Sequence, residues 1–330
     1  MAKFLQSQSE SQLSIKKLKI DLLSRSPQRH KHLLGSDITF HQIDLNNIHA
    51  LEKLFTQNHY DIVINCAAQT GLSIKYDQFY LTNVKATESL LRVAAFKKIK
   101  TFIHFSSPSL FMSNYDQMNI SEDFQFTKKN KFITNYAKSK YLAENLVEKF
   151  HKSFQLTIIL RPATIYGPGS VNVKSQILKL LDLKLLLSFS KKPVKVDMTH
   201  IDNVCHAVKC ILVNHEKMKG LKKYHVTDDH PVEFLQVLKN IFKEQNIKYK
   251  NQYIPFWMAS FGAKVFGFLY KIAGKTYPPA INNYIICNFG KNRILSIKKL
   301  QDDVGYKPIV KFENGFNDFL KSFLPKPGGK

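Results

Sequence analysis

The pattern that most constrains the fold is a series of short apolar runs that alternate with helical patterns. Three of these runs cover residues 61–66 (DIVINC), 101–105 (TFIHF) and 156–160 (LTIIL), and each has the length of a buried strand rather than of a helix. Buried strands that alternate with helices are typical of a parallel sheet covered on both faces. The sequence therefore predicts an α/β fold built on a parallel sheet.

The same patterns predict the remaining elements and their grouping. Further strands are predicted at 18–23 and 38–43, and helices at 48–55, 83–96, 134–153, 175–187 and 231–245. We divide the chain into a nucleotide-binding region, residues 1–165, and a smaller substrate-binding region, residues 166–330. Within the second region, residues 194–210 are expected to return to the first core.

One predicted helix, at 134–153, carries two polar residues on its apolar face. Ala143 and Val147 belong to a stripe with helical spacing, and this stripe runs back through Lys140 and Tyr136. Burying a lysine is costly unless its charge is used. A lysine and a tyrosine one turn apart on an inward face are either an expensive accident or a proton-transfer pair.

The surroundings of this pair favour the second interpretation, because a Tyr-x-x-x-Lys spacing arises easily by chance in a lysine-rich chain. The strand at 101–105 ends in the hydroxyl cluster Ser106–Ser109, about thirty residues before Tyr136. A third strand then ends at residues 161–169 (RPATIYGPG). Ligands of open parallel sheets bind at the carboxyl ends of the strands. The three segments are therefore expected to meet at one site.

In this order, the motifs SSPS (106–109), YAKSK (136–140) and RPATIYGPG (161–169) resemble the extended short-chain dehydrogenase/reductase family, the NAD-dependent epimerase/dehydratase superfamily. Residues 65–68 (NCAA) match the end of its fourth strand. The blocks at 67–87, 196–208 and 300–308 are most similar to the 3-beta-hydroxysteroid dehydrogenase branch. The resemblance covers residues 18–320 and implies a Rossmann-like doubly wound sheet.

The resemblance also implies a mechanism. Tyr136 would be the general acid/base, and Ser107 would hold the substrate oxygen. Lys140 would hydrogen-bond the nicotinamide ribose. A free tyrosine has a pKa near 10, and we expect the positive charge of Lys140 to lower it, since a nearby cation favours the tyrosinate.

The cofactor would be NAD(P), held by residues at the ends of several strands. The resemblance assigns this role to Arg25, Asp44, Leu45, Ala67, Ala68, Ser106, Tyr136, Lys140 and Pro162. Arg25 follows the second family strand with no acidic residue beside it, which favours NADP. Asp44 would contact adenine or simply cap the strand end. Asn83 would anchor the helix and a proton relay, or act as a helix N-cap.

The chain departs from the family pattern at its N-terminus. The family opens with a strand and a glycine-rich turn that holds the pyrophosphate, whereas the first glycine here is Gly35, and residues 1–17 contain no apolar run. We therefore expect the first strand and its turn to be lacking. Three explanations stay open: a late start codon or truncated gene, a degenerate member without redox activity, or an enzyme with a rebuilt phosphate site.

The net charge of +24 invites a nucleic-acid interpretation, but its make-up argues against a specific nucleic-acid partner. Of 49 basic residues, 44 are lysine, whereas specific sites rely on arginine. An AT-rich codon bias or an anionic membrane surface explains the lysines instead. The four cysteines have no metal-ligand spacing, so we expect reduced packing residues, no metal site and a cytoplasmic protein without a signal peptide.

The apolar segment 255–272 is about as long as a membrane span, but Lys264 lies near its middle and Gly262 and Gly267 interrupt it. A charge at the bilayer centre is costly, so we do not expect a spanning helix. A helix on a membrane surface, a lid over the substrate, and a core or homodimer helix all stay open.

Together these features predict an NAD(P)-dependent oxidoreductase that acts on the hydroxyl or ketone group of a sterol-like or other lipophilic substrate. The missing glycine-rich loop would leave such an enzyme inactive if nothing replaces it. A nucleotide-sugar epimerase or dehydratase is the alternative enzyme, since it would share the serine, tyrosine and lysine. A non-catalytic NAD(P)-binding or scaffold protein is the alternative without chemistry.

Overall fold

The computed structural model describes residues 1, 4, 18–26, 37–73, 75–124, 132–279 and 281–324. The strands are β1 (Ile20–Ser24), β2 (Ile38–Gln42), β3 (Ile62–Asn65), β4 (Thr101–Phe105), β5 (Gln117–Ile120), β6 (Leu156–Pro162), β7 (Thr164–Tyr166), β8 (Leu185–Ser188), β9 (Met198–His200), β10 (Gly220–Val226), β11 (Lys250–Tyr253) and β12 (Arg293–Leu295). The helices are α1 (Ile48–Gln57), α2 (Asp77–Phe79), α3 (Ala86–Phe96), α4 (Asn135–Phe150), α5 (Val171–Leu183), α6 (Ile201–Asn214), α7 (Phe234–Glu244), α8 (Phe256–Ile272), α9 (Asn283–Gly290), α10 (Lys298–Val304) and α11 (Phe312–Lys321). A π-helical segment, Tyr80–Lys85, joins α2 to α3.

The predicted α/β architecture is confirmed. Strands β10, β6, β4 and β3 lie side by side in that order and are all parallel. Strands β1 and β2 form a second parallel pair. The helix α3 connects β3 to β4, and α4 connects β4 to β6, which is the crossover arrangement that parallel neighbours require.

Both faces of this sheet are covered. On one face, Leu51 of α1, Leu91 of α3 and Val147 of α4 pack in one buried cluster with Phe102 of β4. On the other face, a cluster of α6 and α10 side chains packs against Ile103 and its neighbours from β6 and β10. The strands are therefore buried on both sides, which explains why β4 and β6 read as unbroken apolar runs rather than as alternating ones.

The β1–β2 pair and β3 are not hydrogen-bonded to each other within the described residues. Met1 and Phe4 pack against the same apolar cluster as Ile20 of β1 and Ile62 of β3, so the described N-terminal residues lie near both strands. The predicted loss of the first family strand concerns a stretch in which residues 2–3 and 5–17 fall outside the described part of the chain, and it stays a prediction.

The C-terminal region packs around its own apolar cluster, which joins α5, α7 and α11. The predicted helix at 175–187 is wrong at its end. Lys184 adopts a left-handed conformation (φ 49°) and stops α5, and the leucines that follow form β8, which pairs with β11. A run of leucines fits either element, and the strand partner that decides lies more than sixty residues away in the sequence.

The proposed boundary at residue 165 between the nucleotide-binding and substrate-binding regions stays a prediction. The expected return of residues 194–210 to the first core also stays a prediction. The structure adds that β10 pairs with β6 in the main sheet and that α6 and α10 pack on it, so the contacts with this core continue beyond Val226 as far as Tyr306. The helix predicted from the apolar segment 255–272 is α8. Among the described residues, no helix is both long enough and apolar enough to cross a membrane.

A buried ion pair fixes α4 against the sheet. The guanidinium of Arg161, on β6, donates to both carboxylate oxygens of Glu144, on α4, over 2.9 and 2.7 Å. The side chains are 1% and 2% exposed. Arg161 also donates to the carbonyl of Glu122 and lies over the ring of Phe111. Because neither charged group is accessible to water, removing one of them would leave the other buried without a counter-ion.

Replacing Arg161 by methionine should therefore lower the free energy of unfolding by about 3–5 kcal/mol, because Glu144 would remain buried without its counter-ion. Urea-induced unfolding followed by circular dichroism would measure the change. Arg92→Met is the matched control, since Arg92 pairs with Glu88 on the surface, where such a pair contributes about 0.2–1 kcal/mol. Equal losses in the two variants would contradict the bracing role of Arg161.

Candidate functional site

The helix α4 places its polar residues at the carboxyl edge of the sheet. Thr134 caps the helix, with its hydroxyl oxygen accepting a hydrogen bond from the amide of Ala137. Lys140, Ala143 and Val147 are all at most 2% exposed. The prediction that the apolar stripe of this helix runs through a lysine is thus confirmed.

Lys140 reaches the end of the neighbouring strand. Its ammonium group donates a hydrogen bond to the backbone carbonyl of Phe105, the last residue of β4, over 2.5 Å. Burial lowers the pKa of Lys140 to about 8, and the carboxylate of Glu144 one turn along α4 opposes this change. At neutral pH the lysine still carries its charge, in a place where few groups compensate it.

Tyr136 lies beside Ser107, and the two residues line a common cavity. Burial raises the pKa of Tyr136 to about 12, although the neighbouring hydroxyl of Ser107 works in the opposite direction. The expectation that Lys140 lowers this pKa is not met in the protein alone. The ammonium group is turned to the Phe105 carbonyl, so desolvation of the phenol dominates. Tyr136 is therefore a proton donor at neutral pH.

Ser106 is the first residue after β4 and is only 5% exposed. Its hydroxyl group has no hydrogen-bond partner among the described residues, yet it lines the cavity. A buried polar group without a partner costs free energy, and the groups that lack one in native proteins usually meet a ligand or water. Ser106 is thus suited to contact a bound cofactor.

Asn83 lies inside the π-helical segment, so the N-cap interpretation of this residue is wrong. Its side-chain amide accepts a hydrogen bond from the amide of Gln69 and donates to the carbonyl of Gln69 and to Ser139. The hydroxyl of Ser139 in turn donates to the carbonyl of Tyr136. Asn83 therefore holds the loop after β3 against the first turn of α4, as an anchor would.

Two of the other predicted cofactor residues follow the strands of the β1–β2 pair. Arg25 follows β1, and one of its guanidinium nitrogens lies 3.8 Å from a carboxylate oxygen of Asp44, which follows β2. Asp44 also accepts a hydrogen bond from the amide of Asn46, so it caps its turn as well. Both side chains of the Arg25–Asp44 pair are largely exposed.

The remaining predicted cofactor contacts lie next to Asp44 and at two further strand ends. Leu45 packs against the cluster formed by α1 and α3. The amide of Ala67 donates to the side chain of Asn65 at the end of β3, and Ala68 follows it. Pro162 ends β6 and lines the cavity. All these positions lie at carboxyl ends of parallel strands, which is where nucleotides bind in such sheets.

The cavity has a volume of about 1150 Å³ and extends from Ser107 and Tyr136 into the C-terminal region. Most of its wall is apolar. Representative lining residues are Met112, Val173, Leu183, Leu187, Phe189 and Ile285. The volume and the wall are suited to a large apolar ligand whose reactive group lies beside Tyr136.

Sequence reasoning missed three charged residues of this cavity, Lys179, Asp197 and Arg293. Arg293 begins β12, its guanidinium donates to Asn288 over 2.9 Å, and the carboxylate of Asp197 is near enough to interact with its charge. Burial lowers the pKa of Arg293. Asp197 accepts a hydrogen bond from the amide of Leu295, and burial raises its pKa to about 7. No local sequence pattern identifies Asp197 and Arg293 as neighbours, because nearly a hundred residues separate them in the chain.

Comparisons with known proteins agree with this geometry. The family model described as "NAD dependent epimerase/dehydratase family" matches residues 7–226. A 2-alkyl-3-oxoalkanoate reductase from Shewanella oneidensis is 24% identical over 298 residues, which cover 87% of this chain and 76% of the relative. The mouse sterol-4-alpha-carboxylate 3-dehydrogenase (decarboxylating) is 25% identical over 271 residues, covering 79% and 74%.

The fold is also similar to solved structures. UDP-glucuronic acid 4-epimerase from Bacillus cereus, crystallised with NAD, superposes with a TM-score of 0.69 at 18% identity, over 98% of this chain and 96% of the other. At this identity the likeness concerns the fold and not the substrate.

We expect the buried charge of Lys140 to lower the free energy of unfolding of the parent protein. Its pKa falls from 10.5 to about 8, which corresponds to a cost of roughly 3 kcal/mol at pH 7, where the lysine is charged in both states. Lys140→Met removes that cost and a charge-assisted hydrogen bond worth about 1.5–3 kcal/mol. The free energy of unfolding at pH 7 should therefore stay level or rise.

Urea unfolding at several pH values would check this, with Lys149→Met on the exposed face of α4 as the control. The advantage of Lys140→Met should shrink as the pH rises from 8 towards 10.5, because the parent lysine then loses its proton more easily when folded. A loss above about 2 kcal/mol at pH 7 would show that Lys140 stabilises the fold.

Proposed function

Because the chain belongs to the NAD-dependent epimerase/dehydratase family, we propose that it is an NAD(P)-dependent oxidoreductase acting on the hydroxyl or ketone group of a lipophilic substrate. The observation that carries this proposal is the placement of Tyr136 beside Ser107 at the wall of a large, mostly apolar cavity, with buried Lys140 one helical turn away. Such an arrangement can move a proton to or from a substrate oxygen.

The residues that would hold the cofactor fit it. The hydroxyl of Ser106 is buried without a partner among the described residues, and Lys140 uses one donor on Phe105 and has two more. When bound, the nicotinamide would give or take a hydride at the substrate carbon. The dinucleotide would lie across the strand ends that carry Asp44, Ala67 and Pro162.

In ketone reduction, Ser107 and Tyr136 would both donate hydrogen bonds to the substrate oxygen. With a pKa of about 12, Tyr136 is protonated at neutral pH and passes its proton to the oxygen as negative charge develops there. The resulting tyrosinate would be stabilised by the positive charge of Lys140 until it regains a proton from solvent. In the oxidative direction the same groups act in reverse, and Tyr136 must first lose its proton.

Three observations support a lipophilic substrate of the carboxylate class. The cavity wall is mostly apolar, and both relatives named above are described as acting on an oxoalkanoate or on a sterol carboxylate. Arg293 also lines the cavity; its guanidinium forms no ion pair within 4.0 Å among the described residues, although the carboxylate of Asp197 is near enough to interact with its charge, and a guanidinium suits a substrate carboxylate.

A nucleotide-sugar epimerase or dehydratase is the second candidate, and one observation favours it. Arg293 and Lys179 both line the cavity, and two cations could also bind a diphosphate. The apolar character of the remaining wall favours the first candidate, because a sugar nucleotide needs polar partners for its hydroxyl groups.

We also propose that the cofactor carries a 2′-phosphate, which Arg25 could contact beyond β1. The neighbouring carboxylate of Asp44 partly compensates the charge of Arg25, so the preference for NADPH over NADH should be modest. Fluorescence titration of the protein with each reduced cofactor would measure the two dissociation constants.

Tyr136→Phe should reduce kcat for ketone reduction by about 10²–10⁴-fold, because the proton donor is lost while the cavity keeps its shape. The dissociation constant for NADPH should change little. Tyr115→Phe is the matched control, since Tyr115 is 53% exposed and does not line the cavity. Undiminished turnover by Tyr136→Phe would remove Tyr136 from the mechanism.

The substrate class can be tested by following NAD(P)H absorbance with a 3-hydroxysteroid, a long-chain 3-oxo acid and UDP-glucose. We expect turnover of one of the lipophilic compounds, and at least a tenfold higher KM for the 3-oxo acid in Arg293→Met, since a charged hydrogen bond is lost. Turnover of UDP-glucose alone would support the epimerase or dehydratase. Tight NADPH binding with no turnover of any compound would support a non-catalytic binding protein.

A further inference from the structure

The helix α8 exposes an unusual number of large apolar side chains. Trp257 is 71% exposed, and Phe261 is 69% exposed. Further exposed apolar residues of this helix are Met258, Val265, Phe266, Phe268, Leu269, Tyr270 and Ile272. A contiguous apolar surface of this kind on a folded protein marks an interaction site.

The helix is oriented so that its small residues face the protein. Ala259 and Ala263 are the buried residues of α8, and they pack in a cluster with Phe189 and Ile286. The residues Trp257, Phe261, Phe268 and Ile272 follow one another at intervals that place them on one outward face. The apolar side chains therefore point away from a core that could have buried them.

The charge of the residues around α8 indicates which kind of partner this apolar surface would bind. Between Glu244 and Asp302 the chain contains no aspartate or glutamate, whereas it contains eight lysines and Arg293. Lys264, Lys271 and Lys275 are exposed on or just after α8. A second copy of the protein would bring the same lysines and a further charge of +24 to the contact. An anionic surface would pair with them instead.

The chain reaches the cavity within a few residues of the end of α8. The residues after α8 include Tyr277, Pro278, Pro279 and Ile281, all of which line the cavity. Tyr277 and Ile281 are also exposed to solvent, at 68% and 41%. The exposed segment that follows α8 therefore forms part of the cavity wall.

We propose that α8 lies in the interface of an anionic bilayer and holds the mouth of the cavity at the lipid surface. Aromatic and aliphatic side chains would enter the headgroup region, and the lysines would reach the lipid phosphates. A lipophilic ligand would then pass between bilayer and cavity without crossing water. This last step rests on the proposed function, whereas the membrane contact does not.

The chain offers a direct probe, because Trp257 is its only tryptophan. Tryptophan emission would be recorded as the full chain is titrated with vesicles of phosphatidylcholine, alone or mixed with phosphatidylserine, in the absence of cofactor and substrate. We expect a blue shift and flotation of the protein with the mixed vesicles. Both effects should weaken as salt rises, because the lysine contribution is screened. Vesicles of phosphatidylcholine alone should bind at least tenfold more weakly.

Phe261→Gln should weaken binding to the mixed vesicles by about tenfold or more, since the variant loses one large apolar contact. Phe96→Gln is the matched control, because Phe96 is also exposed, at 78%, but lies on α3. It should bind within about twofold of the parent. Circular dichroism would verify that both variants are folded.

Three outcomes would overturn the proposal. The first is an unchanged Trp257 emission with both kinds of vesicle. The second is equal binding by Phe261→Gln and Phe96→Gln. The third is a dimer in analytical ultracentrifugation that Phe261→Gln dissociates and that anionic vesicles do not, which would assign the surface to a second copy. None of these outcomes depends on turnover, so the proposed function can fail while the membrane contact stands.

Discussion

Two buried charged groups, one helical turn apart on α4, position the site. Lys140 donates to the carbonyl at the end of β4, and Glu144 accepts hydrogen bonds from Nε and Nη2 of Arg161 on β6. Each contact joins the helix to a different strand, so the helix cannot slide or rotate without breaking one of them. Because these groups are desolvated, an uncompensated charge would cost several kcal/mol. These two contacts fix α4, and the helix in turn fixes the position of Tyr136.

The same burial sets the chemistry of the groups. It raises the pKa of Tyr136 and lowers that of Lys140, so at neutral pH the phenol holds its proton while the ammonium remains charged. This combination suits proton donation to a carbonyl oxygen, with a cation ready to stabilise the phenolate that results. Asn83 and Ser139 hold the backbone of the first turn of α4, which keeps the hydroxyl of Tyr136 beside Ser107.

Large apolar side chains are buried on the main sheet but exposed on α8. The sheet is covered on both faces by helices that bury their large side chains, as expected for a soluble core. In the C-terminal region, α8 instead exposes its large apolar side chains and packs against the protein through two buried alanines. The cavity has walls from both parts, and its lining includes both Tyr136 and the segment after α8. This layout connects the proposed chemistry to the proposed lipid surface.

Residue patterns were sufficient for the parallel sheet, the amphipathic helix with Lys140 on its inner face, and the meeting of Ser107 and Tyr136, because each depends on local periodicity or on strand ends that share one edge. They failed where distant partners decide. Sequence patterns predict helix where β8 lies, since its partner β11 is far along the chain, and they leave Asn83 open between an anchor and a cap, since its partners Gln69 and Ser139 decide between the two. The direction of the Tyr136 pKa change, the Arg161–Glu144 pair and the presence of Arg293 in the cavity likewise required the tertiary structure. Desolvation and ion pairing depend on what surrounds a group in space, and spacing along the chain carries no record of those surroundings.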